Sequence, residues 1–176
     1  MKKVLFLDRD GIINIDHGYV YKVENFEFTE GIFDLLKLFI KEDYLLFIVT
    51  NQSGIGRGYY SEEDFQLLTS WMLDEFKKEN IHIVSVHHCN HGPEENCACR
   101  KPQTGMVDEI LSQNSIDLAN SWLIGDKQSD IDLAHNANIG HTIAIGERDI
   151  NNWTYSFKTI LECKLFLEEK KVIIES

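Results

Sequence analysis

Val4-Leu5-Phe6-Leu7-Asp8-Arg9-Asp10-Gly11 is the stretch that decides the fold of this chain. Its first four residues are all apolar, which is typical of a parallel-sheet strand buried on both faces. Two carboxylates, two residues apart, follow the strand, and a glycine comes next. In open α/β sheets, ligands bind beyond the carboxyl ends of the strands. Acids and glycine are also ordinary turn residues, so other parts of the chain must show whether these two acids have a function.

Apolar, strand-like runs alternate with helical patterns along the chain. The predicted strands are residues 3–8, 44–49, 82–88, 121–125 and 141–145. The predicted helices are residues 30–41, about 61–78, 104–114, 129–137 and about 156–170, with Ser61 and Asp64 typical of a helix N-terminus. The predicted loops are residues 12–28, 50–58 and 89–103. The alternation predicts a Rossmann-like, doubly wound parallel sheet, in a single domain over residues 1–176.

Length, composition and charge limit the class of protein. The chain has 176 residues, of which 43% are hydrophobic, so it can bury one sizeable core. No apolar run approaches the roughly 18–20 residues of a membrane-spanning helix, and no signal peptide is visible. We therefore expect a soluble, cytoplasmic protein. The net charge of −12 argues against nucleic acid and acidic membranes as partners. No uncommitted apolar surface stands out, which favours a monomer.

Three of the four cysteines lie with a histidine in one short segment. Cys89, His91, Cys97 and Cys99 form a Cys₃His set. In a chain without an export signal, such a set indicates metal binding rather than disulfide bonds, and it suits a closed, tetrahedral Zn²⁺ site. A cluster of free thiols is the alternative. We call residues 89–102 the zinc loop; it ends in Arg100, Lys101 and Pro102.

Polar clusters follow several predicted strands or lie just beyond them. Besides Asp8 and Asp10, they are Thr50 to Ser53, Arg100 with Lys101, and Gly125 to Lys127 with Asp130. Right-handed crossovers bring the carboxyl ends of parallel strands to one edge, so these clusters should converge. Acids, a hydroxyl and cations in one crevice suit metal-assisted phosphoryl transfer, in which carboxylates hold Mg²⁺ and cations neutralise phosphate oxygens.

In this order, the motifs Asp8-x-Asp10-Gly11, Thr50-Asn51, Lys101 and Gly125-Asp126 with Asp130 resemble those of the haloacid dehalogenase superfamily phosphatases. The resemblance implies that Asp8 attacks phosphorus and forms an aspartyl-phosphate. It implies that Asp10 protonates the leaving oxygen and then activates water.

The same resemblance implies where the metal and the phosphoryl group bind. Mg²⁺ would be held by Asp8, by the backbone carbonyl of Asp10 and by Asp126, while Thr50 and Lys101 would hold the phosphoryl group. Asp130 would lie behind the metal ligands, or would be a surface acid of its helix. No insertion large enough for a cap domain is visible, so residues 13–28 would serve as a flap.

The zinc loop, with Asp16 to Val20 and Thr50 to Gly58, resembles the D-glycero-D-manno-heptose 1,7-bisphosphate 7-phosphatases from Val4 to about Ile145. This implies release of the 7-phosphate, in the supply of nucleotide-activated heptose for lipopolysaccharide or capsule. Ile12 follows the first motif where the superfamily often has Thr, which favours this narrower family. The implied substrate contacts are Asp16, His17, Gly18, Tyr19, Thr50, Asn51, Gln52, Ser53, Arg100, Lys101 and Lys127. Arg57 could meet the second phosphate or be a surface charge.

Other functions stay open at this point. Histidinol-phosphate phosphatases share the capless fold and the zinc loop, although Asp16 to Val20 favours the sugar. The alternative that is not an enzyme is a zinc-stabilised binding module without catalytic activity, although every residue that the phosphatase chemistry needs is present. A nucleic-acid 3′-phosphatase shares the first motif, but the net charge argues against it. The sequence does not decide between the α and β anomers of the heptose.

Overall fold

The computed structural model describes residues 1–171, in which strands and helices alternate. The strands are β1 (Val4–Leu7), β2 (Leu45–Asn51), β3 (Ser85–Cys89), β4 (Trp122–Gly125), β5 (His141–Ile145) and β6 (Tyr155–Phe157). The helices are α1 (Ile32–Lys41), α2 (Ser53–Gly56), α3 (Glu62–Lys78), α4 (Gly105–Gln113), α5 (Gln128–Asn136) and α6 (Ile160–Lys170). The single domain stays a prediction, and residues 172–176 of its span lie outside the described part.

The six strands form one parallel sheet in the order β3-β2-β1-β4-β5-β6. The chain runs outward from β1 to one edge and then returns to fill the other side, so the strand order reverses between β1 and β4. Ligands of open α/β sheets bind in the crevice at such a reversal. The predicted doubly wound parallel sheet is confirmed.

The apolar run of β1 is buried on both faces, as its pattern predicts. Leu5 and Leu7 pack in a core with α1, α3 and α6, while Val4 and Phe6 pack in a second core with α4 and α5. All four side chains are fully buried, and each such burial contributes roughly 2 kcal/mol. The strand that leads to Asp8 is therefore held firmly from both faces of the sheet.

The predicted boundaries are wrong in three places. Residues 155–157, predicted near the start of the last helix, form the edge strand β6, and α6 begins only at Ile160 after the N-cap Thr159. β3 begins at Ser85 instead of residue 82. Within the predicted loop 50–58, β2 continues to Asn51 and residues 53–56 form the helical turn α2.

Between β1 and α1, the described chain contains one 3₁₀ turn, Val23–Asn25, and isolated bridges, but no cap domain. The predicted flap, residues 13–28, lies in this segment, and Asp16, Gly18 and Tyr19 of it line the crevice. Within residues 1–171, no helix combines the length and the apolarity that crossing a membrane requires.

Candidate active site

Asp8 directly follows β1, beside the point where the strand order reverses. Its backbone N–H donates to the carbonyl of Ile124 in β4 at 3.1 Å, so sheet hydrogen bonding continues through the residue. The residue is 7% exposed, and its Oδ1 accepts a hydrogen bond from Lys101 Nζ at 2.8 Å. The sheet therefore holds the carboxylate of Asp8 at the crevice.

Three donors orient the carboxylate of Asp10. Its Oδ1 accepts from Arg9 Nη2 at 2.8 Å and from Asn14 Nδ2 at 2.9 Å, and its Oδ2 accepts from Gln52 Nε2 at 3.0 Å. Arg9 is itself buried and anchored, since its Nη2 also donates to the carbonyl of Val20 at 2.7 Å. Asp10 is thus held in one orientation, which is what a group that transfers protons requires.

Gln52 is oriented in turn by a buried tyrosine. The hydroxyl of Tyr60 donates to Gln52 Oε1, so the amide nitrogen points at Asp10 and at the hydroxyl oxygen of Thr50. Burial, followed by smaller charge effects, raises the pKa of Tyr60 to about 12, which keeps its proton in place. Tyr21 of the flap stacks on Tyr60 at 5.2 Å, and thereby joins the flap to the crevice.

Lys101 is 4% exposed, and its ammonium donates to three oxygens. These are Asp8 Oδ1 at 2.8 Å, Asp130 Oδ1 at 2.7 Å and the carbonyl of Val49 at 2.9 Å. Burial alone would lower the pKa of Lys101, but the charges of Asp130 and Asp8 outweigh burial and raise it. A permanently charged ammonium therefore lies beside Asp8.

Asp8, Asp126 and Asp130 form a buried carboxylate cluster, with ligand atoms within 4.8 Å of one another. Burial first, and then the charges of Asp8 and Asp130, raise the pKa of Asp126 to about 8. Asp126 Oδ1 is buried without a hydrogen-bond partner among the described residues, while Oδ2 accepts from Arg148 Nη1 at 2.9 Å. A Cβ on Gly11 would lie 2.2 Å from Asp126 Oδ2, so this approach needs glycine.

Asp130 holds the cluster together from the first turn of α5. Its Oδ2 accepts from the backbone N–H groups of Asp126 at 3.2 Å and Lys127 at 3.1 Å, and its Oδ1 accepts from Lys101. The side chain is 1% exposed, so the alternative of a helix-surface acid is wrong. The backbone of Gly125 passes so close that a Cβ there would collide with Asp130.

A cleft of about 280 Å³ opens in front of Asp8, Asp10 and Asp130, while Asp126 does not line it. It is lined by Asp8, Asp10, Asp16, Gly18, Tyr19, Asn51, Gln52, Ser53, Gly54, Tyr60, Lys101, Lys127 and Asp130. Most of the predicted substrate contacts therefore come together. His17, Thr50 and Arg100 do not line the cleft.

These three residues have other surroundings. His17 pairs with Glu27 at 3.2 Å in a neighbouring hollow. The side chain of Thr50 is fully buried behind Gln52, and Arg100 is partly buried with Nη1 unpartnered within the described chain. Arg57 is exposed, with its Nε 3.5 Å from the hydroxyl of Ser53.

Four residues of the site were missed by the sequence analysis: Arg9, Asn14, Tyr60 and Arg148. Arg9 lies inside the opening motif, and an arginine between two acids is a signal that could have indicated it. Asn14 reaches Asp10 through the folding of the flap, and Tyr60 reaches Gln52 through the folding of the segment after α2. Arg148 follows β5 and has no signal in the sequence.

The four predicted zinc ligands lie together. Cys89 Sγ is 3.6 Å from Cys97 Sγ, 3.3 Å from His91 Nδ1 and 2.7 Å from Cys99 Sγ, and His91 Nδ1 is 3.2 Å from Cys99 Sγ. A tetrahedral zinc with Zn–S bonds of about 2.3 Å keeps its sulfurs about 3.8 Å apart. The distance between the sulfurs of Cys89 and Cys97 is close to this value, and the distance between those of Cys89 and Cys99 is shorter. Burial favours the thiol of Cys97, but backbone N–H groups, that of Arg100 first, and hydrogen bonds with Cys89 and Cys99 lower its pKa to about 7.

Known proteins resemble this chain along nearly its whole length. It is 48% identical to the D-glycero-alpha-D-manno-heptose-1,7-bisphosphate 7-phosphatase of Campylobacter jejuni, over 97% of this chain and 98% of that protein. It is 44% identical to the D-glycero-beta-D-manno-heptose-1,7-bisphosphate 7-phosphatase of Helicobacter pylori strain 26695, over 94% of both. A family model described as HAD-hydrolase-like matches residues 98–146.

A solved structure supports the fold. The crystal structure of D,D-heptose 1,7-bisphosphate phosphatase from B. bronchiseptica, complexed with magnesium and phosphate, has a TM-score of 0.82 at 23% identity. The match covers 96% of this chain and 99% of that one. The parallel sheet described above is therefore a haloacid dehalogenase-like fold.

Proposed function

The chain belongs to the heptose-1,7-bisphosphate 7-phosphatase family of the haloacid dehalogenase superfamily, and we propose that it removes the 7-phosphate from D-glycero-D-manno-heptose 1,7-bisphosphate. The observation that carries the proposal is the contact of Lys101 with Asp8 at 2.8 Å, inside a cleft that Asp10 also lines. A nucleophile, a proton donor and a buried cation face the same space, as hydrolysis of a phosphate monoester requires.

The carboxylate cluster fits Mg²⁺. The ammonium of Lys101 pairs with Asp8 and Asp130, and Arg148 pairs with Oδ2 of Asp126, but Asp126 Oδ1 stays buried without a partner within the described chain, beside Asp8. Oxygen donors of this kind are the ligands that Mg²⁺ prefers. We assign its protein ligands to Asp8, Asp126 and the backbone carbonyl of Asp10. When bound, the metal would neutralise charge on the phosphoryl oxygens.

Asp8 and Asp10 have separate chemical tasks in this proposal. A carboxylate oxygen of Asp8 attacks phosphorus, and the bond between phosphorus and the oxygen on carbon 7 breaks. Asp10 gives its proton to that oxygen, and its carboxylate then takes a proton from the water that hydrolyses the aspartyl-phosphate. Arg9, Asn14 and Gln52 hold Asp10 in place for both steps. Lys101 neutralises charge on the phosphoryl group, and Asp130 keeps Lys101 in position.

The zinc loop has a structural task in this proposal. Cys89, His91, Cys97 and Cys99 provide four ligands and leave no open position for catalysis. Lys101 follows the last ligand by two residues, so a metal at the cluster would fix the start of the segment that carries it. A cytoplasmic location and a monomeric state remain predictions.

The substrate assignment is tested with three compounds: the α and β anomers of the heptose bisphosphate, and histidinol phosphate. We expect phosphate release from at least one anomer, with a kcat/KM more than tenfold above that for histidinol phosphate. A tenfold ratio corresponds to about 1.4 kcal/mol of transition-state binding. Both anomers are needed, because relatives named for each resemble this chain at similar identity. A tenfold preference for histidinol phosphate would overturn the heptose assignment.

The catalytic assignment is tested with Asp8→Asn and Asp10→Asn. Each should lower kcat by roughly a thousandfold or more while the protein stays folded, because each removes a reacting group. Asp74→Asn, an exposed acid on α3, is the matched control and should leave turnover unchanged. Substantial activity in either active-site variant would refute its assigned role.

A further inference from the structure

Asn51 is the last residue of β2, and its side chain bonds the backbone of Lys101 at two points. The N–H of Lys101 donates to Asn51 Oδ1 at 2.9 Å, and Asn51 Nδ2 donates to the carbonyl of Lys101 at 3.4 Å. The side-chain amide of Asn51 thus uses its oxygen and one of its N–H groups to bond a single residue, 50 positions further along the chain.

The other end of Lys101 is held by the same strand. Its ammonium donates to the carbonyl of Val49, two residues before Asn51 in β2. Two residues of a strand span about 6.6 Å, so the lysine side chain lies along the end of β2, fixed at its base by Asn51 and at its tip by Val49. Lys101 belongs to no helix or strand of its own. Its position therefore depends on these contacts and on the zinc loop.

Asn51 lines the cleft, but its side-chain amide is bonded to the backbone of Lys101. We infer that this side chain is a positioning group, which supports phosphoryl transfer by fixing the backbone of Lys101 and does not act through a contact with the substrate. The resemblance noted above implied a substrate contact instead. The inference rests on the proposed function, because it needs Lys101 to act on the phosphoryl group. A displacement of about 1 Å in such a group can cost roughly a hundredfold in rate, so two bonds to the backbone of Lys101 can matter without touching the substrate.

A double-mutant cycle separates the two roles. Asn51→Ala should lower kcat/KM about 10- to 100-fold, and Lys101→Ala should lower it at least as much. If Asn51 acts through Lys101, the double variant should be no worse than Lys101→Ala alone. If Asn51 binds the substrate, the two losses will multiply, and the inference is overturned.

The matched control is Asn136→Ala. Asn136 Nδ2 donates to the carbonyl of Pro102 at 3.1 Å, so it is also a side-chain amide bonded to the backbone of this segment, one residue further on. We expect this variant to keep wild-type kcat/KM, because it does not touch Lys101. A loss equal to that of Asn51→Ala would mean that any bond to this segment has the same effect, and would count against a specific role for Asn51.

Two additions keep the test decisive if a variant is inactive or unstable. Asn51→Gln keeps the amide and its neutral charge but displaces it from the backbone of Lys101, and whatever effect it has should vanish in the Lys101→Ala background. If Lys101→Ala turns over too slowly to measure, the same cycle is run on the Kd of inorganic phosphate, with the same two outcomes. Failure of the proposed function would look different: the wild type would release no phosphate, or Lys101→Ala would match it.

Discussion

Asp10, the proposed proton donor, shows how much a single side chain depends on its neighbours. Donors from Arg9, Asn14 and Gln52 fix both of its oxygens, and the hydroxyl of Tyr60 fixes Gln52. A carboxylate that must first give and later take a proton has to face the leaving oxygen and then a water at the same spot. This network keeps Asp10 in that orientation, whereas Asp8 is held by Lys101 and by the sheet.

Gly11 gives a prediction at the residue scale. Its φ is +90°, and a Cβ would lie 2.2 Å from Asp126 Oδ2. Gly11→Ala should therefore cost about 1–2 kcal/mol in the free energy of unfolding for the backbone conformation. It should also displace Asp126 and lower kcat/KM at least tenfold. Thermal denaturation and steady-state kinetics measure the two effects.

Gly58→Ala is the control for the backbone term. Gly58 has a similar φ of +79°, but a Cβ there would meet nothing within 4 Å. The Gly58→Ala variant should show a similar decrease in the free energy of unfolding and should keep the kcat/KM of the wild type. Equal activity of the two variants would show that Asp126 tolerates displacement, against the role assigned to it.

The residues of the site differ in how far the sequence could predict them. Asp8, Asp10 and Asp126 follow strands with strong apolar patterns, so the parallel topology alone brings them together. Lys101 lies twelve residues beyond the end of β3, and its position depends on the zinc loop and on its contacts with β2. Arg148 reaches Asp126 from a loop 22 positions away. Its contact depends on a loop conformation that no local pattern specifies.

The zinc loop is the element that carries Lys101, and after Cys89, the last residue of β3, it contains no helix or strand. Glu62 of α3 holds the start of this loop: its carboxylate accepts from Asn90 Nδ2 at 2.9 Å, and it bonds Nε2 of His88, in β3 just before the loop, at 2.9 and 3.0 Å. His88 also stacks on Phe65 at 4.1 Å. These contacts hold the start of the loop, and the Cys/His cluster would hold its end.

Metal content gives a prediction at this scale. The purified protein should contain one zinc per chain, and Cys99→Ser should lose it, lower the melting temperature and lower kcat/KM through Lys101. Elemental analysis and thermal denaturation are the measurements. Cys163→Ser is the control: this thiol is buried in α6, so its loss should lower stability but leave the zinc in place. A zinc-free wild type with full activity would contradict the structural role.

Helices and strands with long patterns were predictable, whereas the short ones were not. β6 has three residues, too few to show alternation, and the pattern of α6 overlaps it. α2 is a single turn rich in glycine, a composition that indicates a loop. Both are stabilised by neighbours in the fold, which is information that the local sequence does not contain.

On the scale of the whole molecule, the order of the strands determines which acidic residues meet in the candidate active site. β1 and β4 are neighbours at the reversal of the sheet, so Asp8 and Asp126 meet although 118 positions separate them. The net charge of −12 opposes an anionic substrate. The buried ammonium of Lys101, the side chain of Lys127 at the cleft and a metal between the acids would supply the local positive charge that such a substrate needs.

The most direct test of the account follows both phosphorus atoms of the substrate. Heptose 1,7-bisphosphate is incubated with the wild-type protein and Mg²⁺, and ³¹P NMR records the two sites. We predict that the resonance of the 7-phosphate disappears as inorganic phosphate forms, while the 1-phosphate remains, and that Asp8→Asn leaves both intact. Loss of the 1-phosphate instead, or no release from either anomer, would contradict the account.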